Sequence, residues 1–119
     1  MTEKSYTVDS LFAGIGGICQ AFNNAGCRVI WANEFDKKAC ETYCYNLQDI
    51  TLVESDIKKI KTEEIPEADI ITAGFPCQPF SLAGNRRGLN DPRGRLFSEI
   101  TRIATEMKKK PRVLFLENV

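Results

Sequence analysis

Cys77 lies between two prolines in the sequence Gly-Phe-Pro-Cys-Gln-Pro-Phe-Ser at positions 74–81. Each proline fixes its own φ and restricts the residue before it to extended or turn geometry, so the backbone orients this thiol. A free cysteine is most often a small buried hydrophobic residue. Here polar, basic and glycine residues follow as far as position 95, and such a composition favours an exposed loop. The pattern therefore predicts a nucleophilic cysteine on a surface turn.

A carboxylate follows a second candidate strand. The apolar residues 113–116 are typical of a strand buried on both faces, and Glu117 comes directly after them. The apolar pair at 70–71 predicts another strand shortly before Cys77. Because parallel strands end at the same edge of a sheet, we expect Cys77 and Glu117 to share that edge.

The absence of histidine from these 119 residues removes several reaction classes. Serine and cysteine hydrolases that rely on imidazole, and metal sites built from histidine, need a side chain that this sequence does not offer. Sixteen basic and sixteen acidic residues cancel. Affinity for nucleic acid would therefore depend on local patches, such as the arginines at 86, 87, 93 and 95.

The composition predicts one globular domain over residues 1–119, with 43% hydrophobic residues available for a core. Five cysteines without a Cys-x-x-Cys pair indicate neither a disulfide framework nor a zinc ribbon, which favours a reducing, cytoplasmic setting. The sequence offers no apolar stretch of the ~20 residues that a membrane span needs, and its polar start does not resemble a signal peptide.

Short apolar runs alternate with amphipathic segments, which is typical of βαβ units on a parallel sheet. We therefore predict an α/β fold. The predicted strands are residues 6–12, 29–33, 51–54, 69–73 and 113–117, and the predicted helices are residues 17–25, 37–46, 57–64 and 96–109. Cys40 and Cys44, four residues apart on the second helix, are interpreted as packing residues.

A glycine-rich turn, Phe-Ala-Gly-Ile-Gly-Gly at 12–17, follows the first strand. Such glycines allow backbone amides to approach a ligand at a helix N-terminus, although the spacing lacks the third glycine of the dinucleotide fingerprint, and a purely structural turn stays open. Glu34, at the end of the second strand, could accept hydrogen bonds from both ribose hydroxyls or simply face solvent. Asp56 could accept from an exocyclic amine such as that of adenine, or cap a helix. Together the three strand ends favour an adenosine site.

These residues resemble the C5-cytosine methyltransferases, which use S-adenosylmethionine. The resemblance runs through nearly the whole chain. In order, the segments similar to family motifs are the glycine turn at 12–17, Asn-Glu-Phe-Asp at 33–36, Asp-Ile at 56–57, the cysteine loop at 74–81, Asp-Pro-Arg-Gly-Arg-Leu-Phe at 91–97 and Glu-Asn-Val at 117–119. Six motifs in sequence and properly spaced are highly specific.

The resemblance implies a Rossmann-like methyltransferase fold with sheet order 3-2-1-4-5 and a site without a metal. It implies Cys77 as nucleophile, Glu117 as the residue that holds the base, and Gln78, Ser81 and Arg93 as residues of the DNA-facing loop. The cofactor, released as S-adenosylhomocysteine, would contact Phe12, Gly14, Ile15, Gly16, Gly17, Glu34, Phe35, Asp56, Ile57, Pro76 and Leu96.

The implied activity is methyl transfer to C5 of a flipped cytosine in double-stranded DNA, in a bacterial or phage-like restriction-modification setting. The alternatives are a tRNA cytosine-5 methyltransferase and a non-catalytic subunit or fragment. A nucleotide-dependent oxidoreductase is a more distant alternative.

The sequence departs from the family pattern in two places. Ser10 occupies the position of the family's usual aspartate, with Asp9 one residue earlier. The family also continues beyond the motif at 117–119, which implies an incomplete catalytic domain without its target-recognition domain. Whether a complementary chain supplies the rest stays open at this point.

Overall fold

The computed structural model describes residues 5–75 and 94–118. Its centre is a five-stranded sheet in which every neighbouring pair is parallel. The strands are β1 (Thr7–Leu11), β2 (Arg28–Glu34), β3 (Thr51–Glu54), β4 (Ile70–Phe75) and β5 (Val113–Asn118), in the order β3-β2-β1-β4-β5. This confirms the predicted α/β fold and the order 3-2-1-4-5. The direction of progression reverses between β1 and β4, so the carboxyl ends of these strands form the crevice where such folds bind ligands.

Two helices cover one face of the sheet: α1 (Gly17–Asn24) and α2 (Lys37–Asn46). Val8 and Ala32 of the sheet pack there against buried Cys19 and Tyr43 of the helices. The Tyr43 hydroxyl donates to Cys19 Sγ at 3.2 Å, which satisfies a polar group inside this layer.

The opposite face packs against α3 (Gly94–Glu106). Leu11, Ile71 and Ala73 of the sheet meet Ile100 and Ile103 of this helix in the larger of the two core clusters. Helices on both faces of a parallel sheet favour strands that are largely apolar, which explains the short apolar runs in the sequence.

The segment 57–64 is not the helix that the sequence predicts. It forms two separate 3₁₀ turns, Ile57–Lys59 and Thr62–Glu64, with Ile60 in an extended conformation between them. The carbonyl oxygens of Ile57 and Ile60 both accept hydrogen bonds from Arg102 of α3. Tertiary partners therefore replace the internal bonds of a continuous helix, which local sequence patterns do not reveal. Elsewhere the predicted elements are present, with ends that coincide or differ by at most three residues.

Asp9 and Ser10 point to opposite faces of β1, as expected from strand geometry. The Ser10 hydroxyl accepts a hydrogen bond from Thr72 Oγ1 at 2.9 Å. Asp9 is completely buried, and neither of its carboxylate oxygens has a hydrogen-bond partner among the described residues. Burial raises the pKa of Asp9 to about 8. The register of β1 against β2 also shifts between Val8 and Asp9.

The interpretation of Cys40 and Cys44 of α2 as packing residues is confirmed for only one of them. Cys40 is buried, whereas Cys44 is exposed and does not pack as predicted. Within the part of the chain that the structure describes, no helix is long and apolar enough to cross a membrane.

Candidate cofactor site at the carboxyl edge of the sheet

The glycine turn after β1 adopts a left-handed path. Phe12, Gly14 and Gly16 have φ values of 52°, 61° and 99°, a region that non-glycine residues rarely occupy. The Ala13 N–H donates to the Asn33 carbonyl at 2.9 Å, which fastens the turn to the end of β2. Gly16 is the N-cap of α1 and offers no side chain to the helix N-terminus. The first amides of α1 therefore lack a side-chain cap, an arrangement suited to a ligand with acceptor groups.

Glu34 is held at the end of β2 by two backbone amides. Its Oε1 accepts from the Gly14 N–H at 2.9 Å, and its Oε2 accepts from the Asp36 N–H at 2.8 Å. The cap of α2 is Asp36, which accepts from the Ala39 N–H, so Glu34 does not serve as a helix cap. A carboxylate offers about four acceptor positions. Two are used here, and the others are available to the vicinal hydroxyls of a ribose.

A cleft of about 220 Å³ opens at this edge of the sheet, and the neighbours of Glu34 in the chain, Asn33 and Phe35, line it whereas Glu34 itself does not. Five of the predicted cofactor residues line it, namely Phe12, Phe35, Asp56, Ile57 and Leu96, together with Asn33 and Lys58. The Phe35 side chain is 71% exposed. An aromatic ring exposed at the edge of a cleft is well suited to contact a flat heterocycle.

Asp56 has one of the two roles considered for it, that of a cap. Its Oδ1 accepts from the Lys58 N–H at 3.0 Å and caps the turn Ile57–Lys59. The same residue lines the cleft, where its second carboxylate oxygen is available to accept from an amine.

The remaining glycine-turn residues lie elsewhere. Ile15, Gly16 and Gly17 line a separate hollow of about 300 Å³ with residues of α1 and α2. A Cβ on Gly16 would lie 2.5 Å from Leu47 Cδ1 and 3.0 Å from Tyr43 Cδ2. Glycine is therefore required at position 16 by close packing of the turn against α2.

Glu117 is exposed at the carboxyl end of β5 and pairs in register with Gly74 of β4. A Cβ placed on Gly74 would lie 3.9 Å from both Glu117 Oε2 and the Phe12 carbonyl oxygen. The structure thus brings the Glu117 carboxylate next to Gly74 of β4 and to the glycine turn. Gly74 precedes Cys77 by three residues in the chain. Cys77, Pro76, Gln78, Ser81 and Arg93 lie outside the described residues.

Sequence reasoning missed the role of Asn33. Its side chain is buried, lines the cleft, and donates through Nδ2 to Ser55 O at 2.8 Å and Val53 O at 3.3 Å. The carboxamide therefore ties the ends of β2 and β3, which carry Glu34 and lead to Asp56. A polar residue at the end of an apolar strand was the available signal.

Cys40 lies close to the site, but its thiol is poorly suited to act as a nucleophile. Its Sγ donates to the Glu34 carbonyl at 3.5 Å. Burial, and secondarily the carboxylates of Glu54 and Glu34, raise the pKa of the Cys40 thiol to about 11. The thiolate is therefore scarce at neutral pH. Over residues 5–75 and 94–118, no cluster of three cysteine, aspartate or glutamate side chains is arranged to hold a metal ion.

The profile of the family described as C-5 cytosine-specific DNA methylase matches residues 6–119. The Type II methyltransferase M.Bsp6I of Bacillus sp. (strain RFL6) is 46% identical over 114 residues, which cover 94% of this chain and 35% of that protein. M.HhaI of Haemophilus parahaemolyticus is 46% identical over 109 residues, covering 92% of this chain and 32% of that protein. The chain thus spans about a third of the length of these relatives.

Solved structures agree with the fold. The Dnmt2 methyltransferase of S. pombe superimposes with a TM-score of 0.73 at 24% identity, over 96% of this chain and 34% of that one. A Spodoptera frugiperda DNMT2 variant gives a TM-score of 0.72 at 27% identity, over 97% of this chain and 36% of that one. The sequence match over nearly the whole length, on the same α/β fold, establishes that the chain belongs to the C-5 cytosine-specific DNA methylase family.

Proposed function

We propose that this chain is the cofactor-binding and catalytic segment of a DNA (cytosine-5)-methyltransferase. The observation that carries the proposal is Glu34, held by the Gly14 and Asp36 amides at the carboxyl edge of the sheet, between two residues of the chain that line the cleft. Membership of the C-5 cytosine-specific DNA methylase family supplies the reaction class. The Type II relatives suggest a role in restriction-modification.

The residues present fit S-adenosylmethionine. Glu34 would accept from the ribose hydroxyls, Phe35 and Ile57 would contact the adenine ring, and Asp56 would accept from its exocyclic amine. Leu96 would close the apolar wall of the cleft. When bound, the cofactor supplies a methyl group activated by its sulfonium centre.

Cys77 would act as the nucleophile. Its thiolate forms a bond to C6 of cytosine, and the electrons of the C5–C6 double bond move to C5, which then accepts the methyl group. Loss of the C5 proton restores the double bond and breaks the bond between sulfur and C6. The thiolate leaves, and the product is 5-methylcytosine.

Glu117 would hold the target base. A carboxyl group beside N3 and the exocyclic amine stabilises the charge that develops when C6 is attacked. Because thymine has a carbonyl in place of that amine, the same contact distinguishes cytosine. Its carboxylate lies next to Gly74 of β4, and Cys77 follows Gly74 by three residues in the chain.

Double-stranded DNA is the proposed partner. C6 is shielded within a stacked duplex, so the target base must rotate out of the helix. Gln78, Ser81 and Arg93 follow Cys77 in the chain and are proposed to contact the DNA around the extruded base.

A second partner is further polypeptide, in the same or a separate chain, that covers β5. This edge strand exposes 41–50% of Val113, Leu114, Phe115 and Leu116, which lie on both of its faces. Such a strand is typical of the interior of a parallel sheet, and an uncovered apolar edge promotes association. The relatives' additional length is ample to supply a neighbouring strand.

Tritiated methyl transfer from S-adenosylmethionine tests the proposal, with duplex DNA and tRNA compared as substrates. The chain is assayed alone and with extract of its native source, in the wild-type form, as Cys77→Ser, and as the control Cys44→Ser, which changes an exposed thiol. We expect label in DNA that is lost only with Cys77→Ser. Label confined to tRNA would assign the alternative RNA substrate, and unchanged labelling by Cys77→Ser would exclude the nucleophile.

A further inference from the structure

Arg102 of α3 makes more polar contacts than its position on a partly exposed helix face requires. Its Nη2 donates to the carbonyl oxygens of Ile57 at 3.2 Å and Ile60 at 3.1 Å. Its Nη1 donates to Thr62 Oγ1 at 3.2 Å, and its Nε pairs with the Glu99 carboxylate. One guanidinium group thus binds α3 to both 3₁₀ turns.

The first of these turns is a wall of the candidate cofactor cleft. Asp56, Ile57 and Lys58 all line the cleft. Internally the turn has the Asp56 cap and two bonds, from Lys59 N to Asp56 O and from Ile60 N to Ile57 O. A single 3₁₀ turn is weak when isolated, so the two bonds from Arg102 add to the burial of the Ile57 and Ile60 side chains in holding this wall.

Another part of the cleft lining belongs to α3, the helix that carries Arg102. Leu96 lines the cleft from the beginning of α3, and Arg102 lies six residues later, about 9 Å along the helix axis. Since a helix of this length is rigid, fixing the turn to Arg102 also fixes its distance from Leu96. Arginine suits this task because its planar fork can bind two carbonyls and a hydroxyl together, whereas lysine presents a single ammonium.

We propose that Arg102 is a positioning residue for the adenine end of the cofactor cleft. It sets the gap between Leu96 and the turn Ile57–Lys59, and so holds Asp56 where it recognises the exocyclic amine. The proposal rests on the proposed function for the identity of the ligand. It also links the cofactor cleft to α3, the helix that follows the segment containing Cys77.

A role limited to stability is the competing explanation, and the next residue provides a matched control. Ile103 is fully buried in the α3 core cluster. Ile103→Val therefore weakens the packing of α3, by about 0.5–1.5 kcal/mol, without removing a bond to the turn. Arg102→Lys keeps the positive charge but removes the planar guanidinium group that binds the two carbonyls and the hydroxyl.

The experiment compares both variants with the wild-type full chain in two measurements. The first is amide hydrogen exchange of Lys58 and Ile60 without ligand. The second is affinity for S-adenosylhomocysteine and for S-inosylhomocysteine, which carries an oxygen in place of the exocyclic amine. For Arg102→Lys we expect faster exchange, about tenfold weaker binding of S-adenosylhomocysteine, and reduced discrimination between the two ligands. Ile103→Val should preserve that discrimination.

Equal effects of the two variants on the affinity ratio would overturn the proposal, as would unchanged exchange at Lys58 and Ile60 in Arg102→Lys. If the wild-type chain binds neither nucleoside, the proposed function fails. The exchange measurement then tests separately whether the hydrogen bonds of Arg102 hold the turn Ile57–Lys59. Faster exchange in Arg102→Lys supports this role, and unchanged exchange contradicts it.

Discussion

The Glu34 carboxylate accepts a hydrogen bond from the Gly14 N–H at 2.9 Å, across 20 residues of chain. The turn after β1 and the acid at the end of β2 therefore form one hydrogen-bonded unit. Holding the carboxylate in one orientation reduces the conformational entropy that binding would otherwise cost. This relationship makes Glu34 the most sensitive described position for testing the cofactor site.

Glu34→Gln should weaken binding of S-adenosylhomocysteine by about tenfold to a hundredfold, the range expected for losing hydrogen bonds to a charged acceptor. The amide nitrogen that replaces one oxygen must face either the Gly14 N–H or the Asp36 N–H, donor against donor. Isothermal titration calorimetry measures the change. Glu41→Gln, at an exposed position on α2, is the control. Equal affinity for Glu34→Gln and wild type would remove Glu34 from the site.

Gly16→Ala should destabilise the fold by about 1–3 kcal/mol, from a positive φ and an overpacked contact. The added Cβ would lie 2.5 Å from Leu47 Cδ1, and the φ of 99° disfavours alanine. Gly17→Ala is the matched control, since a Cβ there meets nothing within 4 Å. Thermal unfolding compares the two. Similar midpoints for both variants would show that the packing of the turn against α2 does not require glycine.

Asp9 should make the protein less stable as pH rises. Its pKa is about 8 in the folded state and about 3.9 when unfolded. The folded state therefore binds the proton more tightly, and the resulting stability is lost between about pH 4 and pH 8, by up to about 1.4 kcal/mol per pH unit. Asp9→Val removes the buried carboxyl and should flatten this slope.

Urea unfolding at pH 5 and pH 8 tests this expectation. The gain in stability of Asp9→Val over wild type should be larger at pH 8. Asp49→Asn, at an exposed position, controls for the loss of one acidic group. An identical pH slope in Asp9→Val and wild type would mean that the Asp9 carboxyl ionises as readily in the fold as in the unfolded chain.

The apolar edge at β5 should control association of the isolated chain. Leu114 and Leu116, on the same face of the strand, are 43% and 41% exposed. Replacing both with lysine should reduce self-association in sedimentation velocity, because charged side chains protect sheet edges. It should also reduce any activity gained from added extract. Tyr45→Lys changes an exposed aromatic residue away from this strand, and a similar effect from it would argue against a specific edge.

Local patterns in the sequence were sufficient to predict most of the helices and strands of the fold. The alternation of apolar and amphipathic runs predicted the strands and the α-helices, because helices pack on both faces of this parallel sheet. Glu34, Asp56 and Phe35 could be placed together because they follow neighbouring strands, and the carboxyl ends of parallel strands converge.

What the sequence could not provide depends on tertiary contacts. The break at Ile60 follows from hydrogen bonds to Arg102, 42 residues away. The bridging role of Asn33 depends on the register of β2 against β3. The burial of Asp9 without a hydrogen-bond partner among the described residues, and the exposure of Cys44, depend on which side chains cover each position. None of these contacts leaves a periodic signal.

The most direct test of the central claim is covalent trapping on duplex DNA that contains 5-fluorocytosine, with S-adenosylmethionine and extract of the native source. Release of the thiol requires loss of the proton at C5. Because fluorine replaces that hydrogen, the bond between sulfur and C6 persists after methyl transfer. We predict a stable complex whose mass-spectrometric peptide map places the DNA on Cys77, and no complex with Cys77→Ser. Methylation of normal DNA by this chain with no trapped complex, or trapping on a different residue, would contradict the account.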